Sequence, residues 1–263
     1  MKQYTINAEA QQINVFDERW YQISDGEDTH YLPGVTTYLE VYPKGYAFRQ
    51  WLKSTSFNAD AVLEKAGEFG SQFHDLIQHL LLGESIVFQE DVRLWERFLI
   101  WCQFWKDLGE KYEVEFNDCF IEFIAHNIEY QCAGTVDFMP QIDGKYYVID
   151  WKSGNYIADQ AKIQISTYTK LVEAQYEVEV EEAWIGWFPA KKPNKRGYRI
   201  IKVERDEIET NFEDFQHLQK IWTREHGKEK PKFLIYPSNI NLDFIKNNPI
   251  IKNEAHDADK QNN

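Results

Sequence analysis

The chain is predicted to adopt an α+β (or α/β) fold in which helices flank a central mixed β-sheet and a helical region precedes the sheet. Three observations in its 263 residues point to this class. Segments with helical spacing come first, strand-like segments then cluster, and a helical segment at 158–175 interrupts the cluster. Within the cluster, Asp143-Gly144 joins two alternating segments as a two-residue hairpin turn does.

One domain is expected over residues 1–251, because this length fits a single large core and no second domain is required. Its helical part is expected at about 33–112 and its sheet core at about 113–236. The last residues, 252–263, are rich in Asn, Asp and Lys and are predicted to form a disordered tail.

The elements before the sheet are predicted to begin with a small hairpin and to continue as helices. Weak alternation on both sides of Asp25-Gly26 predicts the hairpin turn. A helix is expected through 46–52. Over 58–82 we expect a helix or a helix pair, broken within the segment KAGEFGS, with Ser71 as the N-cap of the second half.

A stripe of apolar side chains predicts a further helix at 90–112. Its members are three and four residues apart, as on one helix face: Leu94, Trp95, Phe98, Trp101, Cys102 and Trp105. A core-facing surface is the simpler interpretation of this stripe. A platform on which nucleic-acid bases stack is the alternative.

The rest of the chain divides into alternating strand segments and helical segments. The strands are expected at 116–125, 129–139, 145–152, 182–188 and 198–203. The helices are expected at 158–175 and 206–224.

The net charge of −14 argues against non-specific adhesion to nucleic acid, because phosphate binding draws on Lys and Arg. An acid-free basic segment at 189–203 departs from this average. It contains Lys191, Lys192, Lys195, Arg196, Arg199 and Lys202. The segment is either a solvated hairpin tip or a loop that follows a phosphate backbone.

A soluble cytoplasmic protein without membrane contact is expected, in a bacterial or phage setting. No apolar run is long enough to span a bilayer, and residues 1–16 lack the layout of a signal peptide. Cys102, Cys119 and Cys132 lack CxxC spacing, so we expect buried thiols rather than disulfides or a cysteine-rich zinc site.

Two carboxylates are predicted to oppose each other in the main hairpin. If its turn sets the register, Asp137 faces Asp150 across the ladder, where like charges repel. Period-two alternation places Lys152 on the same face as Asp150. Glu122 is the one acid in the apolar strand segment CFIEFI. Pro140 is a signal for a bulge that would shift the register.

An oxygen-rich cluster of this kind suits a divalent cation such as Mg²⁺ or Mn²⁺. The cation would relieve the repulsion between Asp137 and Asp150, polarise a phosphoryl oxygen and acidify an attacking water. Lys152 would orient that water or stabilise negative charge in the transition state. The alternative is an exposed hairpin face with a Lys-Asp pair that contributes little stability.

The motifs GTVDF, VIDWKSG and QISTY resemble the PD-(D/E)XK nuclease superfamily. Within it they resemble the RecB-like exonuclease branch, which includes mitochondrial genome maintenance exonucleases and phage-type relatives. GSQFH resembles the helix that delivers a histidine to the metal, and LPGVTTYLEVYPK resembles the entry segment of mitochondrial and phage-type members. The matches span about half of the chain, from Leu32 to Tyr168. The resemblance implies a restriction-endonuclease-like core.

The resemblance also implies a role for each matched residue. The implied metal ligands are Asp137, Asp150, the backbone carbonyl of Trp151 and the imidazole of His74. Lys152 is implied to position or activate the water, and Glu122 to support the metal directly or through water. Gln164 and Tyr168, four apart on one helix face, are implied to brace the active site and the DNA backbone.

Two positions depart from the family pattern. Gly34 stands where many relatives have serine, and Gln78 stands where several have glutamate after the histidine. Neither departure removes an implied ligand. The four-cysteine arrangement of some RecB-like nucleases is missing, so no iron–sulfur cluster is expected. A Walker A loop is also missing, so no ATP-driven motor is expected.

The combined prediction is a Mg²⁺- or Mn²⁺-dependent deoxyribonuclease, an exonuclease that acts on single-stranded or frayed DNA ends in repair or recombination. DNA is the expected partner, with replication or recombination proteins as further partners and the basic segment as a backbone contact. Two alternatives stay open. One is a non-cleaving binding module with a nuclease-like fold, and the other is a metal-dependent hydrolase of another phosphoester.

Overall fold

The computed structural model describes residues 10–15, 18–26, 28–55 and 58–226, together with the single positions 231 and 241. The predicted tail at 252–263 lies outside these residues. The described part contains two β-sheets and six α-helices.

A small antiparallel sheet comes first. Its strands are β1 (Ala10–Val15), β2 (Glu18–Asp25) and β3 (Asp28–Pro33), in that spatial order. Strands β2 and β3 pair as far as Asp25 and Asp28, which confirms the predicted turn. The sequence predicted a hairpin, and the structure adds a third strand to it. Gly34, directly after β3, bridges to Ala133 and so joins this sheet to the main one.

Helices occupy the segment between the two sheets. They are α1 (Val35–Tyr38), a 3₁₀ turn (Leu39–Val41), α2 (Tyr46–Thr55), α3 (Ala59–Leu81) and α4 (Val92–Lys111). The predicted break within 58–82 is wrong, because α3 runs through Gly67 and places Ser71 in mid-helix. Its C-terminal half buries Phe73 and Ile77 in the core. This packing outweighs the low helix propensity of glycine.

The main sheet is mixed and follows chain order. Its strands are β4 (Val114–Asn127), β5 (Cys132–Ile142), β6 (Lys145–Lys152), β7 (Val180–Trp187) and β8 (Arg199–Val203). Neighbours are antiparallel except β6 and β7, which run parallel and are connected through α5 (Ala161–Tyr176). Helix α6 (Arg205–His226) follows β8. The predicted α+β class, with a mixed sheet between helices, is confirmed.

The hairpin of β5 and β6 has the predicted register. Asp143 and Gly144 have φ values of +48° and +76°, as both central residues of a type I′ turn require. The pairs keep one register on both sides of Pro140: Phe138↔Ile149, Gln141↔Tyr146 and Ile142↔Lys145. Pro140 therefore causes no shift, and continuing this register by one residue beyond Phe138↔Ile149 sets Asp137 opposite Asp150.

Apolar clusters lie on the two faces of the main sheet. One packs α5, α6 and the α1 region against it, and the other packs α3 and α4. The aromatic stripe of α4 belongs to the second cluster, where Trp101 is 0% exposed and stacks at 6.3 Å on Phe98. The base-stacking interpretation of this stripe is therefore wrong, because the central rings are already covered by the core.

Two further sequence predictions concern membranes and thiols. Cys119 and Cys132 are buried and Cys102 is half-buried, and all three are free thiols. Within the described ranges, no helix combines the length and the apolar character that a bilayer crossing requires.

Candidate metal centre

A cavity of ≈ 350 Å³ opens where strand β6 ends against helix α3. The three-stranded sheet, α3, the main sheet and α5 all contribute to its wall. Every side chain that the sequence predicted for the site lines this cavity: His74, Glu122, Asp137, Asp150, Lys152, Gln164 and Tyr168. Residues up to 94 positions apart in the chain therefore meet in one polar space.

Three of these side chains bring potential metal-ligand atoms close together. The Nδ1 atom of His74 lies 3.4 Å from Oδ1 of Asp137 and 3.6 Å from Oε1 of Glu122. One ligand atom from each of the three residues lies within 4.8 Å of the other two. Asp137 is only 7% exposed, whereas His74 and Glu122 are half-buried.

Glu122 has an unusual backbone conformation for a strand residue. Its φ is +45°, in the left-handed region that non-glycine residues rarely adopt. The flanking pairs Ile121↔Phe138 and Phe123↔Val136 keep one register, so the distortion is confined to Glu122 itself. Such strain costs about 1–3 kcal/mol and concentrates at functional sites. The strain is therefore a second, independent indication that this position serves a site.

The Asp137 carboxylate and the His74 imidazole are both tied to the backbone of Trp151. Oδ2 of Asp137 accepts a hydrogen bond from the Trp151 N–H at 2.6 Å. The Trp151 carbonyl lies 2.9 Å from His74 Nε2, which must donate because a carbonyl only accepts. The carbonyl predicted to be a metal ligand is thus hydrogen-bonded to His74 in this structure.

A chain of polar contacts runs through the other half of the cavity. The Lys152 ammonium lies 2.7 Å from Oδ2 of Asp150 and donates to Oε1 of Gln164 at 3.2 Å. Gln164 Nε2 in turn donates to the hydroxyl of Tyr168 at 2.9 Å. Asp150 Oδ2 is buried, and its close contact with the Lys152 ammonium is an ion pair.

Tyr168 fits its place because the facing residue of β5 is glycine. A Cβ atom on Gly134 would lie 2.4 Å from Cε1 of Tyr168, far inside van der Waals contact. Gly134, the first residue of the GTVDF motif, is therefore required because any side chain there would clash with the Tyr168 ring, whose hydroxyl binds Gln164.

The His74 pKa is controlled by two opposing effects. Burial disfavours the imidazolium, but the carboxylates of Asp137 and Glu122 outweigh burial and hold the pKa of His74 well above its usual value. For Asp137, burial opposes ionisation, but His74 and Lys152 outweigh it and lower the pKa. Burial dominates at Glu122 and raises its pKa.

The Asp150 and Lys152 pair is also perturbed. Burial, together with the Asp137 carboxylate, raises the pKa of Asp150 to about 6 despite the attraction of Lys152. Burial disfavours the charged form of Lys152, but Asp150 and Asp137 outweigh it and raise the pKa of this amine. Lys152 is therefore an ammonium at neutral pH.

The residues of this cavity fit a divalent cation. Carboxylate oxygens and an imidazole nitrogen are ligands that Mg²⁺ or Mn²⁺ accepts. Asp137 and Asp150 are buried acids on neighbouring strands, and the Asp137 carboxylate raises the pKa of Asp150. A cation between the two carboxylates would offset this repulsion.

The structure adds cavity residues that the sequence did not reveal. Arg19 and Tyr21 reach it from β2, and the Tyr21 hydroxyl lies 3.3 Å from Oγ1 of Thr135. Alternation in the segment RWYQI places Arg19 and Tyr21 on one face, which was the available signal. Nothing local indicated that this face would cover strand β5.

The basic residues predicted to contact nucleic acid are all exposed, but they do not line one common cavity. Lys192 and Arg196 line a second cavity beside α4. Lys191, Lys195 and Arg199 line neither this cavity nor the first one.

The chain was compared with solved structures, with curated proteins and with models of protein families. The crystal structure of SSO0001 aligns with 58% of this chain and 73% of its own, at 15% identity and a TM-score of 0.29. No curated protein matches the chain. The family model of the PD-(D/E)XK nuclease superfamily matches residues 43–237, about three quarters of the sequence. The chain with this cavity belongs to the PD-(D/E)XK nuclease superfamily.

Proposed function

We propose that the protein is a Mg²⁺- or Mn²⁺-dependent deoxyribonuclease of the RecB-like branch that degrades DNA from single-stranded or frayed ends. Nucleases of the superfamily are typically metal-dependent phosphodiester hydrolases. The observation that carries the proposal is that three side chains with metal-ligand atoms meet the buried Asp150 and the half-buried Lys152 in one cavity. The Gln-x-x-x-Tyr spacing of Gln164 and Tyr168 supports the assignment to the RecB-like branch.

His74, Glu122, Asp137 and Asp150 are the side chains that would hold the metal. When bound, the metal polarises a phosphoryl oxygen and lowers the pKa of water. The Trp151 N–H keeps the Asp137 carboxylate in place through its short hydrogen bond. Strand β6 thereby aligns one ligand by its backbone and supplies another by its side chain.

Lys152 is assigned to charge stabilisation rather than proton abstraction. In the metal-free protein Asp150 and Asp137 raise the pKa of Lys152 and keep the amine protonated, and a protonated amine cannot accept a proton from water. An ammonium in a partly dry cavity stabilises the extra negative charge that develops on phosphate during attack. It also donates a hydrogen bond that orients the attacking water.

Gln164 and Tyr168 position the ammonium. Gln164 accepts from Lys152 through its carbonyl oxygen and donates to Tyr168 through its nitrogen, so its orientation is specified at both ends. Tyr168 is buried against Gly134 and provides a rigid anchor. This chain of contacts limits the rotamers that Lys152 can adopt.

Arg19 is proposed to contact the substrate. It is an exposed cation at the cavity wall, on a strand outside the region matched by the family model. A guanidinium binds phosphate oxygens in a bidentate manner, which positions the strand without taking part in the chemistry.

The test is cleavage of end-labelled single- and double-stranded oligonucleotides with free and blocked ends, in Mn²⁺, scored by product length. We expect stepwise shortening from free single-stranded or frayed ends. Asp150→Asn and Lys152→Ala should abolish cleavage. Lys145→Ala is a matched control, because Lys145 lies at the other end of β6 in an exposed pair with Glu181.

Three results would contradict the proposal. Full cleavage by Asp150→Asn or Lys152→Ala would remove the assigned chemistry. Binding of DNA without cleavage in any divalent metal would favour the non-cleaving module. Preferred hydrolysis of a small phosphodiester such as bis(p-nitrophenyl) phosphate, unaffected by excess DNA, would favour another phosphoester as substrate.

A further inference from the structure

We propose that the cavity between α4 and the loop at 188–198 binds the phosphate backbone of the single DNA strand that extends from the active-site cavity. We call this cavity the basic groove. It has a volume of ≈ 660 Å³ and is lined mainly by Arg93, Arg97 and Ile100 of α4 and by Lys192 and Arg196 of the loop. The proposal rests on the proposed function for the identity of the ligand.

The charge of the basic groove is opposite to that of the protein. Among the described residues, its lining contains four cationic side chains and a single carboxylate, that of Glu96, in a chain with a net charge of −14. Arg93 pairs with Asp91, and Arg196 lies 4.0 Å from a carboxylate oxygen of Asp107. Within the described ranges, Arg97 and Lys192 form no ion pair with a carboxylate. The groove thus has positive charge available for an anionic ligand.

The burial and the hydrogen bonds of Arg97 distinguish the groove from a chance cluster of surface charges. It is only 7% exposed, and its Nη1 donates to the carbonyls of Ser153 at 3.0 Å and Phe188 at 2.5 Å. Its guanidinium also lies 5.6 Å from the centre of the Phe69 ring. Burying a charged guanidinium against carbonyls without a carboxylate is unfavourable unless another anion compensates. A phosphate in the groove would supply that anion.

The loop is folded onto α4, which distinguishes it from a solvated hairpin tip. The side-chain oxygen of Asn194 accepts hydrogen bonds from the backbone N–H groups of Arg196 and Gly197. Gly197 has a φ of +87° and approaches α4 so closely that a Cβ would lie 3.2 Å from Ile100. Lys192 and Arg196 are therefore held on an ordered loop, which reduces the entropy lost on binding.

The basic groove adjoins the active-site cavity. Ser153, whose carbonyl binds Arg97, directly follows Lys152, and the Phe188 N–H donates to the Lys152 carbonyl at 2.8 Å. On the other side, the Ser153 hydroxyl lies near Gly70 of the active-site lining, 3.9 Å from where its Cβ would be. A strand leaving the active site past Ser153 would reach the groove with its next phosphates.

The test is binding of the full chain to a fluorescein-labelled oligothymidylate of about 20 nucleotides, in EDTA, measured by anisotropy between roughly 50 and 200 mM NaCl. Each lost phosphate contact is expected to lower the salt slope by about 0.7 for a single strand. We expect Lys192→Gln and Arg196→Gln each to show this loss and several-fold weaker binding. Lys195→Gln is the matched control, since Lys195 is exposed on the same loop but does not line the groove.

Equal salt slopes for Lys192→Gln, Arg196→Gln and Lys195→Gln would overturn the inference, because only bulk loop charge would then matter. Wild-type cleavage of DNA in Mn²⁺ alongside that result would leave the proposed function intact. Loss of binding confined to the groove variants, together with an inactive wild type, would instead support the groove and refute the nuclease proposal. Thermal unfolding of each variant shows whether the fold is retained.

Discussion

Replacing Asp150 by asparagine should stabilise the metal-free protein while it abolishes cleavage. Asp150 is 3% exposed, and burial together with Asp137 raises its pKa from 3.8 to about 6. A pKa difference of about two corresponds to about 3 kcal/mol that opposes ionisation in the folded state. The attraction of Lys152 is already included in this pKa, so the neutral amide of the Asp150→Asn variant would approximate the neutral acid.

The sign of the pH dependence follows from the raised pKa. Well below pH 3.8 the carboxyl is neutral in both the folded and the unfolded state, so both proteins should be equally stable. Between pH 3.8 and about 6 the unfolded state ionises first, and the wild type loses stability relative to the variant. We expect an advantage for Asp150→Asn of about 1 kcal/mol at pH 4.5 that reaches about 3 kcal/mol at pH 8.

The assay is urea unfolding in EDTA at these two pH values, followed by the same titration in Mn²⁺. Asp214→Asn, at an exposed position of α6, is the control and should change little. Saturating Mn²⁺ should stabilise the wild type and the Asp214→Asn control by about 2.7 kcal/mol at a hundredfold excess over Kd, and should stabilise Asp150→Asn by less. A wild type more stable than Asp150→Asn in EDTA at pH 8 would refute the reasoning, since the buried carboxylate would then be a favourable charge.

Three further substitutions probe the surroundings of the site. Gly134→Ala would place a Cβ 2.4 Å from Tyr168, so we expect a loss of about 1–3 kcal/mol in urea unfolding together with slower cleavage. Gly109→Ala is the contrasting control, because no described residue comes within 4 Å of that Cβ and α4 should gain up to about 1 kcal/mol. Arg19→Gln should raise KM for DNA without changing Mn²⁺ affinity by calorimetry. His74→Ala should lower Mn²⁺ affinity, and unchanged affinity would exclude His74 as a ligand.

Local interactions explain why much of the hairpin was predictable. The Asp143-Gly144 turn needs two residues with positive φ, and this turn type sets the register of both strands without help from the rest of the chain. Strand β6 consequently has the predicted bounds, 145–152. The contact of Gln164 with Tyr168 is also local, because residues four apart on a helix are neighbours.

The continuity of α3 shows where local reasoning failed. Its glycines and Ser71 resemble a break followed by an N-cap, and helix propensity alone favours that interpretation. The helix continues because Phe73 and Ile77 pack in the core with α4. This packing also presents His74 to the cavity. The interaction that keeps α3 continuous, against the prediction of a break, therefore also positions a residue of the site.

The sequence by itself determined most of the elements, the hairpin register that sets Asp137 against Asp150 and the identities of the donor side chains, because turns, alternation and helical spacing act between near neighbours. Only the tertiary structure decided that the face of β2 carrying Arg19 covers this hairpin, and that the basic loop packs on α4 around Arg97. Those contacts join residues far apart in the chain, and they depend on the packing of whole surfaces, which no short segment encodes.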